Sequence, residues 1–67
     1  MKFNVDFREG YEPHKLEGIA INEIADWEMG SCEFIEQEFI RDLRDLNIGE
    51  ETTYTELGVY IVFEKVA

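Results

Sequence analysis

The sequence predicts an α+β domain in the order β-α-α-β-β, with two helices packed on one face of a small three-stranded sheet. Three observations carry that reading. Apolar and polar residues alternate strictly from Lys2 to Arg8, apolar residues recur every three or four positions through the middle, and two β-rich runs close the chain. At 67 residues the chain makes one domain, 1–67, with a thin core and a net stability of roughly a few kcal/mol. Hydrophobic residues are 45% of the chain and aromatics 13%, enough to build a packed core, which a disordered tail lacks.

The alternation at Lys2–Arg8 places Phe3, Val5 and Phe7 on one side of a first strand. Glu9, Gly10 and Tyr11 break it, and Pro13 suits the first turn of a helix, where its missing N–H costs nothing. From Pro13 to Met29 the stripe Leu16, Ala20, Ile24 and Trp27, extended by Ile19, predicts the first helix; Gly18 weakens it by roughly 1 kcal/mol relative to alanine. Gly30 ends this helix and Ser31 caps a second, about Cys32 to Leu46, which buries Ile35, Phe39, Leu43 and Leu46. One continuous helix kinked at Gly30-Ser31 is the alternative. Asn47-Ile48-Gly49 closes the helix. Thr52–Thr55 reads as a strand at the sheet edge, Glu56-Leu57-Gly58 as a turn, and Val59–Val66 as the last strand. That strand is apolar on both faces: Val59, Ile61 and Phe63 line one, and Tyr60, Val62 and Val66 the other. Two helices cover one side of a sheet only, so Tyr60, Val62 and Val66 are candidates for a second contact, a homodimer among them.

Sixteen Asp and Glu stand against six Lys and Arg, for a formal charge of −10 and a pI near 4.3. Direct binding to nucleic acid or to an anionic membrane needs the opposite sign. The electrostatic partner left is a basic surface of another protein, and many such surfaces are nucleic-acid sites. The single cysteine, Cys32, excludes an intrachain disulfide and fits a reducing compartment. No apolar run approaches the roughly 20 residues that span a bilayer, and Met1–Gly10 lacks a signal peptide's apolar centre, so a cytoplasmic location is expected.

Catalytic groups are sparse. A Cys or Ser nucleophile needs a base, and the only histidine, His14, is expected at the opposite end of a helix pair from Cys32. His14 and Glu17 lie a helical turn apart, within reach of one ion, but no ligand cluster or calcium-loop spacing accompanies them. Neighbouring carboxylates such as Glu36 and Glu38, or Asp42 and Asp45, need a cleft to separate their pKa values, and a domain this small offers little. The expectation is a protein without enzymatic activity, cofactor or metal.

The acidic residues of the predicted helices are the informative feature. Glu17, Glu23, Asp26, Glu28, Glu33, Glu36, Glu38, Asp42 and Asp45 fall there, against Lys15, Arg41 and Arg44. Glu38 and Asp42 stand at i, i+4, a like-charge pair costing a helix a few tenths of a kcal/mol. Folding gives no reason for it, whereas a basic partner does. A charge-rich face that is only solvated, with local pairs such as Arg41 and Asp45, is the alternative. Trp27, beside Asp26 and Glu28, is either the end of the core stripe or an interface anchor.

In size, charge and α+β order the chain resembles small phage-encoded inhibitors, such as acidic anti-CRISPR and anti-restriction proteins. The resemblance implies a protein that occupies the nucleic-acid site of a host defence enzyme, with no binding residue to carry over. The expected function is docking on a basic, nucleic-acid-binding surface of a partner protein and blocking it. The residues expected to do so are Glu23, Asp26, Glu28, Glu33, Glu36, Glu38, Asp42 and Asp45. A structural protein that self-associates through Tyr60, Val62 and Val66, its acids serving solubility, is the alternative.

Overall fold

The computed structural model describes residues 1–10, 12–29, 33–55 and 58–67, with the side chains of 28, 29, 33 and 34 left aside. Its elements are β1 (Lys2–Glu9), β2 (His14–Ala20), α1 (Ile21–Ala25), β3 (Glu28–Met29), β4 (Glu33–Phe34), α2 (Gln37–Asp45), β5 (Glu51–Tyr54) and β6 (Tyr60–Lys65). Four of the strands form one antiparallel sheet in the order β2-β1-β6-β5, and β3 pairs with β4 as a separate two-stranded ribbon. The domain is therefore α+β, but the expected three-stranded β-α-α-β-β arrangement is overturned: the sheet has a fourth strand, and the helices are short.

The segment 13–29 accounts for the difference. Expected as a helix, it forms the edge strand β2, five residues of helix and the strand β3. Val5 pairs with Leu16 and Phe3 with Ile19, so two steps along β1 are matched by three along β2. That extra residue is a bulge. Gly18 sits in it at φ +65°, a conformation glycine adopts without the penalty of a Cβ, and its N–H donates to Asn4 Oδ1 at 3.1 Å. The bulge shifts the inward positions from Leu16 to Ile19, which breaks the period of two and mimics helical spacing. The β-branched Ile19 favours extended backbone, and pairing with β1 supplies the hydrogen bonds a helix otherwise would.

The second expected helix also shrinks. Glu33 and Phe34 pair with Met29 and Glu28, and α2 starts only at Gln37, after an extended Glu36 at its N-cap. Ile35 N–H donates to the Trp27 carbonyl oxygen at 3.1 Å, tying the base of the ribbon to the end of the α1 segment, and Ile35 itself is buried. The predicted cap at Gly30-Ser31, with Cys32, lies outside the described residues, as do Glu56 and Leu57 of the predicted turn.

The terminal strands follow the sequence pattern. Phe3, Val5 and Phe7 of β1 and Ile61 and Phe63 of β6 are buried on one face, joined by Tyr54 of β5. Both helices cover that face. Ile21 and Ile24 of α1 and Ile40 and Leu43 of α2 are buried in the same core, and Phe39 packs edge-on against Tyr54 and Phe63 at 5.0 and 5.2 Å between ring centres. Trp27 is half-buried and packs against this core, 5.7 Å from Phe7 and 6.3 Å from Phe63, although the helical stripe expected to carry it does not form. At the other end, Lys65 Nζ donates to the carbonyl oxygens of Arg44 (3.2 Å) and Leu46 (2.7 Å). A cation there satisfies carbonyls left unpaired where a helix stops and opposes the negative end of its dipole.

Candidate binding surfaces

Of the acids expected to build one helical face, Glu23 lies on α1 and Glu38, Asp42 and Asp45 on α2; Asp26 follows α1 and Glu36 precedes α2. All six side chains are exposed. Glu28 and Glu33 have backbone positions in the β3–β4 ribbon, and their side chains lie outside the described residues. Glu17, counted with the helices in the sequence, stands instead on β2 at the bulge.

Helical geometry sorts the charges of α2. At about 100° per residue, with Ile40 and Leu43 turned inward, Glu38, Asp42 and Asp45 fall within an arc of about 60° along one exposed edge. Arg41 and Arg44 fall within a neighbouring arc of similar width. The acids form one continuous stripe, with Arg41 at its border, about 40° from Asp45 and one turn before it. Among the described residues the only ion pair is Arg8 with Asp6, on the opposite side of the domain, so neither arginine is bonded to any of the three acids. Glu38 sits in the first turn, where the helix dipole favours it, whereas Asp42 and Asp45 gain nothing from that source.

A second surface is the uncovered face of the sheet, which the sequence indicated only through Tyr60, Val62 and Val66. Tyr60 and Val66 are each 36% exposed and Val62 is half-buried. Their neighbours are polar, because every residue between the buried positions of β1 points to this side. The register forms rows across it: Lys15, Asp6, Val62 and Thr53 in one, and Asn4, Glu64 and Glu51 in the next. A groove of about 290 Å³ runs over Val62, lined by the acids Asp6, Glu17, Glu51 and Glu64 and the cations Arg8 and Lys15. Arg8 Nε donates to Asp6 Oδ2 at 3.0 Å, and its guanidinium lies 5.9 Å from the Tyr60 ring centre. The hydrogen bond to Asp6 and then its charge hold the Arg8 pKa above the usual value, with smaller contributions from Tyr60 and Glu51. The acids of this domain thus occupy both of its faces. Alternation of Asn4, Asp6 and Arg8 between Phe3, Val5 and Phe7 was the signal for this surface in the sequence.

His14 is on the sheet edge and not at a helix start. Its ring stacks on Phe7 at 4.4 Å and Nδ1 donates to the Glu12 carbonyl oxygen at 2.6 Å. Glu17 lines the groove on the opposite face of the sheet, so the two do not share an ion. Among the described residues no group of three or more His, Cys, Asp or Glu stands close enough to hold a metal. No described helix is long and apolar enough to cross a membrane. Comparison with protein-family models, with curated proteins and with solved structures found no match for this chain.

Proposed function

We propose that this protein binds a basic, nucleic-acid-binding surface of a partner protein through the acidic edge of its helical layer and blocks that surface. The observation that carries the reading is the alignment of exposed Glu38, Asp42 and Asp45 along one edge of α2, bonded to neither Arg41 nor Arg44. Exposed Glu36, just ahead of α2, and exposed Glu23 and Asp26, on and just after the adjoining α1, are proposed to enlarge the patch. Glu28 and Glu33 belong to the same proposed patch by sequence position. A formal charge of −10 accelerates encounter with a cationic surface, and the aligned acids then set orientation. The role is binding in the cytoplasm, without catalysis, and it accords with the resemblance to small acidic phage-encoded inhibitors of the anti-CRISPR and anti-restriction kind.

The test compares two baits in affinity capture from host lysate at low and high salt: the wild type, and a variant carrying Glu38→Gln, Asp42→Asn and Asp45→Asn. Partners retained by the wild type at low salt, released at high salt and missing from the variant support the reading. An identical set on both baits removes it.

A second reading is self-association through the uncovered sheet face, favoured by the exposure of Tyr60 and Val66 beside Val62. Sedimentation over a concentration series decides it, and a monomer throughout ends it.

A further inference from the structure

The edge of β5 and the groove beside it are unexplained by a helical binding surface. Glu51 stands directly opposite Glu64, and Asn4 is the next residue in that row, so two acids face each other across the strands with no cation in line. Like charges directly opposite weaken a sheet. The cations of this face, Arg8 and Lys15, line the same groove but are engaged with Asp6: Arg8 is bonded to it, with a smaller electrostatic contribution from Glu51, and Lys15 is in register with that same aspartate.

The backbone of β5 is equally one-sided. Lys65 N–H donates to the Glu50 carbonyl oxygen and Gly49 N–H to that of Lys65, so the odd-numbered residues of β6 turn toward β5. By the alternation of an antiparallel ladder, Thr52 and Tyr54 turn back to β6, while the N–H and C=O of Glu51 and Thr53 point outward from the sheet. The other edge, β2, is blunted by its bulge at Gly18 and by Lys15. Glu51–Tyr54 carries no proline, lysine or bulge; it is blunted by its length of four residues and by the negative charge of Glu51, which opposes another acidic strand and not a basic one.

The geometry points to β5 as a docking edge for an extended basic segment of a partner protein. The segment adds a fifth strand, its backbone meets Glu51 and Thr53, and an arginine or lysine opposite Glu51 lies over the uncovered face beside Glu64, toward the groove. A groove of about 290 Å³ is just below the roughly 300–1,000 Å³ of sites for drug-sized molecules, a size that suits one long side chain. Charge decides the occupant. A second copy pairing through Glu51-Thr52-Thr53-Tyr54 brings no cation and sets two chains of charge −10 together.

The probe is a blocked hexapeptide alternating arginine and valine, titrated into the protein while amide resonances are followed by NMR. Saturable shifts at Glu51, Thr53, Val62 and Glu64 are expected. A variant with Glu51→Gln and Glu64→Gln should lose at least tenfold in affinity, whereas Glu38→Gln, Asp42→Asn and Asp45→Asn together should leave these shifts intact. Thr53→Pro, which removes an outward N–H without taking one from the β5–β6 ladder, should abolish them while the sheet resonances persist. Shifts confined to α2, an unchanged affinity in the Glu51/Glu64 variant, unchanged shifts in Thr53→Pro, equal binding when glutamine replaces arginine in the peptide, or a dimer in the absence of peptide would each overturn the proposal.

Discussion

Gly10 offers the sharpest test of how this sheet is closed. It follows β1 at φ +83°, and a Cβ built on it would stand 2.6 Å from Val59 Cγ1, 2.9 Å from Val59 Cα and 3.0 Å from the Gly58 carbonyl oxygen. Val59 is buried just ahead of β6, and two of the three obstacles are backbone, so the neighbour cannot swing aside. Gly10→Ala therefore meets two costs: about 1–2 kcal/mol for a left-handed conformation with a side chain, and about 1–3 kcal/mol for overpacking. Reduced freedom of the unfolded chain returns about 0.4–1 kcal/mol. The expected loss is about 2–4 kcal/mol, a large part of the total for a domain of this length, roughly 3–10 kcal/mol at the usual stability per residue. Gly18 is the internal control, because it too has a positive φ (+65°) but nothing within 4 Å of its Cβ position. Gly18→Ala meets only the first cost and should lose about 1 kcal/mol. Urea unfolding of both variants measures the difference, read as a shift in midpoint at constant slope. Equal losses would show that the β1–β2 turn does not press on Val59, and the reasoning would fail.

Other substitutions probe the remaining supports. Lys65→Met keeps an aliphatic stem but withdraws the ammonium from Arg44 and Leu46, and should cost about 1–3 kcal/mol in urea unfolding, with faster amide exchange in the last turn of α2. Leu43→Ala empties a fully buried position between helix and sheet and should cost about 2–5 kcal/mol by the same assay. Glu51→Gln relieves the acid pair with Glu64 and should stabilise by about 0.2–1 kcal/mol at low salt, with a smaller gain at high salt.

The sequence was most readable where burial had one simple period. Phe3, Val5 and Phe7 alternate without interruption, and the structure buries all three; Ile61 and Phe63 do the same in the central strand β6, and 51–54 lies at the edge as the short threonine-rich run implied. The core side of α2 was legible too, through Leu43, with Phe39 and Leu46 half-buried against it. The stretch from Pro13 to Met29 was not. A bulge at Gly18 sets the inward residues of β2, Leu16 and Ile19, three apart, and Ile24 and Trp27 of the same core are three apart as well, intervals that a helix also satisfies, whereas Ala20 of the expected stripe is exposed. The deciding interaction is non-local: β1 has a free side that β2 fills, and no window of residues around Gly18 contains that fact. The acids Asp6 and Glu64, which share the groove with Glu51, were overlooked as surface-forming for a related reason. Each belongs to a different strand, and only the register brings them into one groove.

That register changes how the charge acts. With carboxylates on the helical layer and on the sheet, −10 is not a one-sided field, and at long range a cationic partner is drawn to the domain without being told which face to meet. Close to the surface the two sides become independent. The shortest extent of the domain is 16 Å, about twice the Debye length of roughly 8 Å at physiological ionic strength. A partner seated on Glu38, Asp42 and Asp45 is therefore screened from Glu51 and Glu64. Neutralising the sheet pair should slow association at low salt through the loss of net charge, yet leave dissociation from the helical face unchanged. Neutralising the α2 acids should raise the dissociation rate as well, because in the proposed complex these groups touch the partner. Stopped-flow association and surface-bound dissociation measured on the two variants separate the effects. If both variants changed dissociation alike, the acids would be acting only as bulk charge, and no single edge of α2 would be the recognition surface.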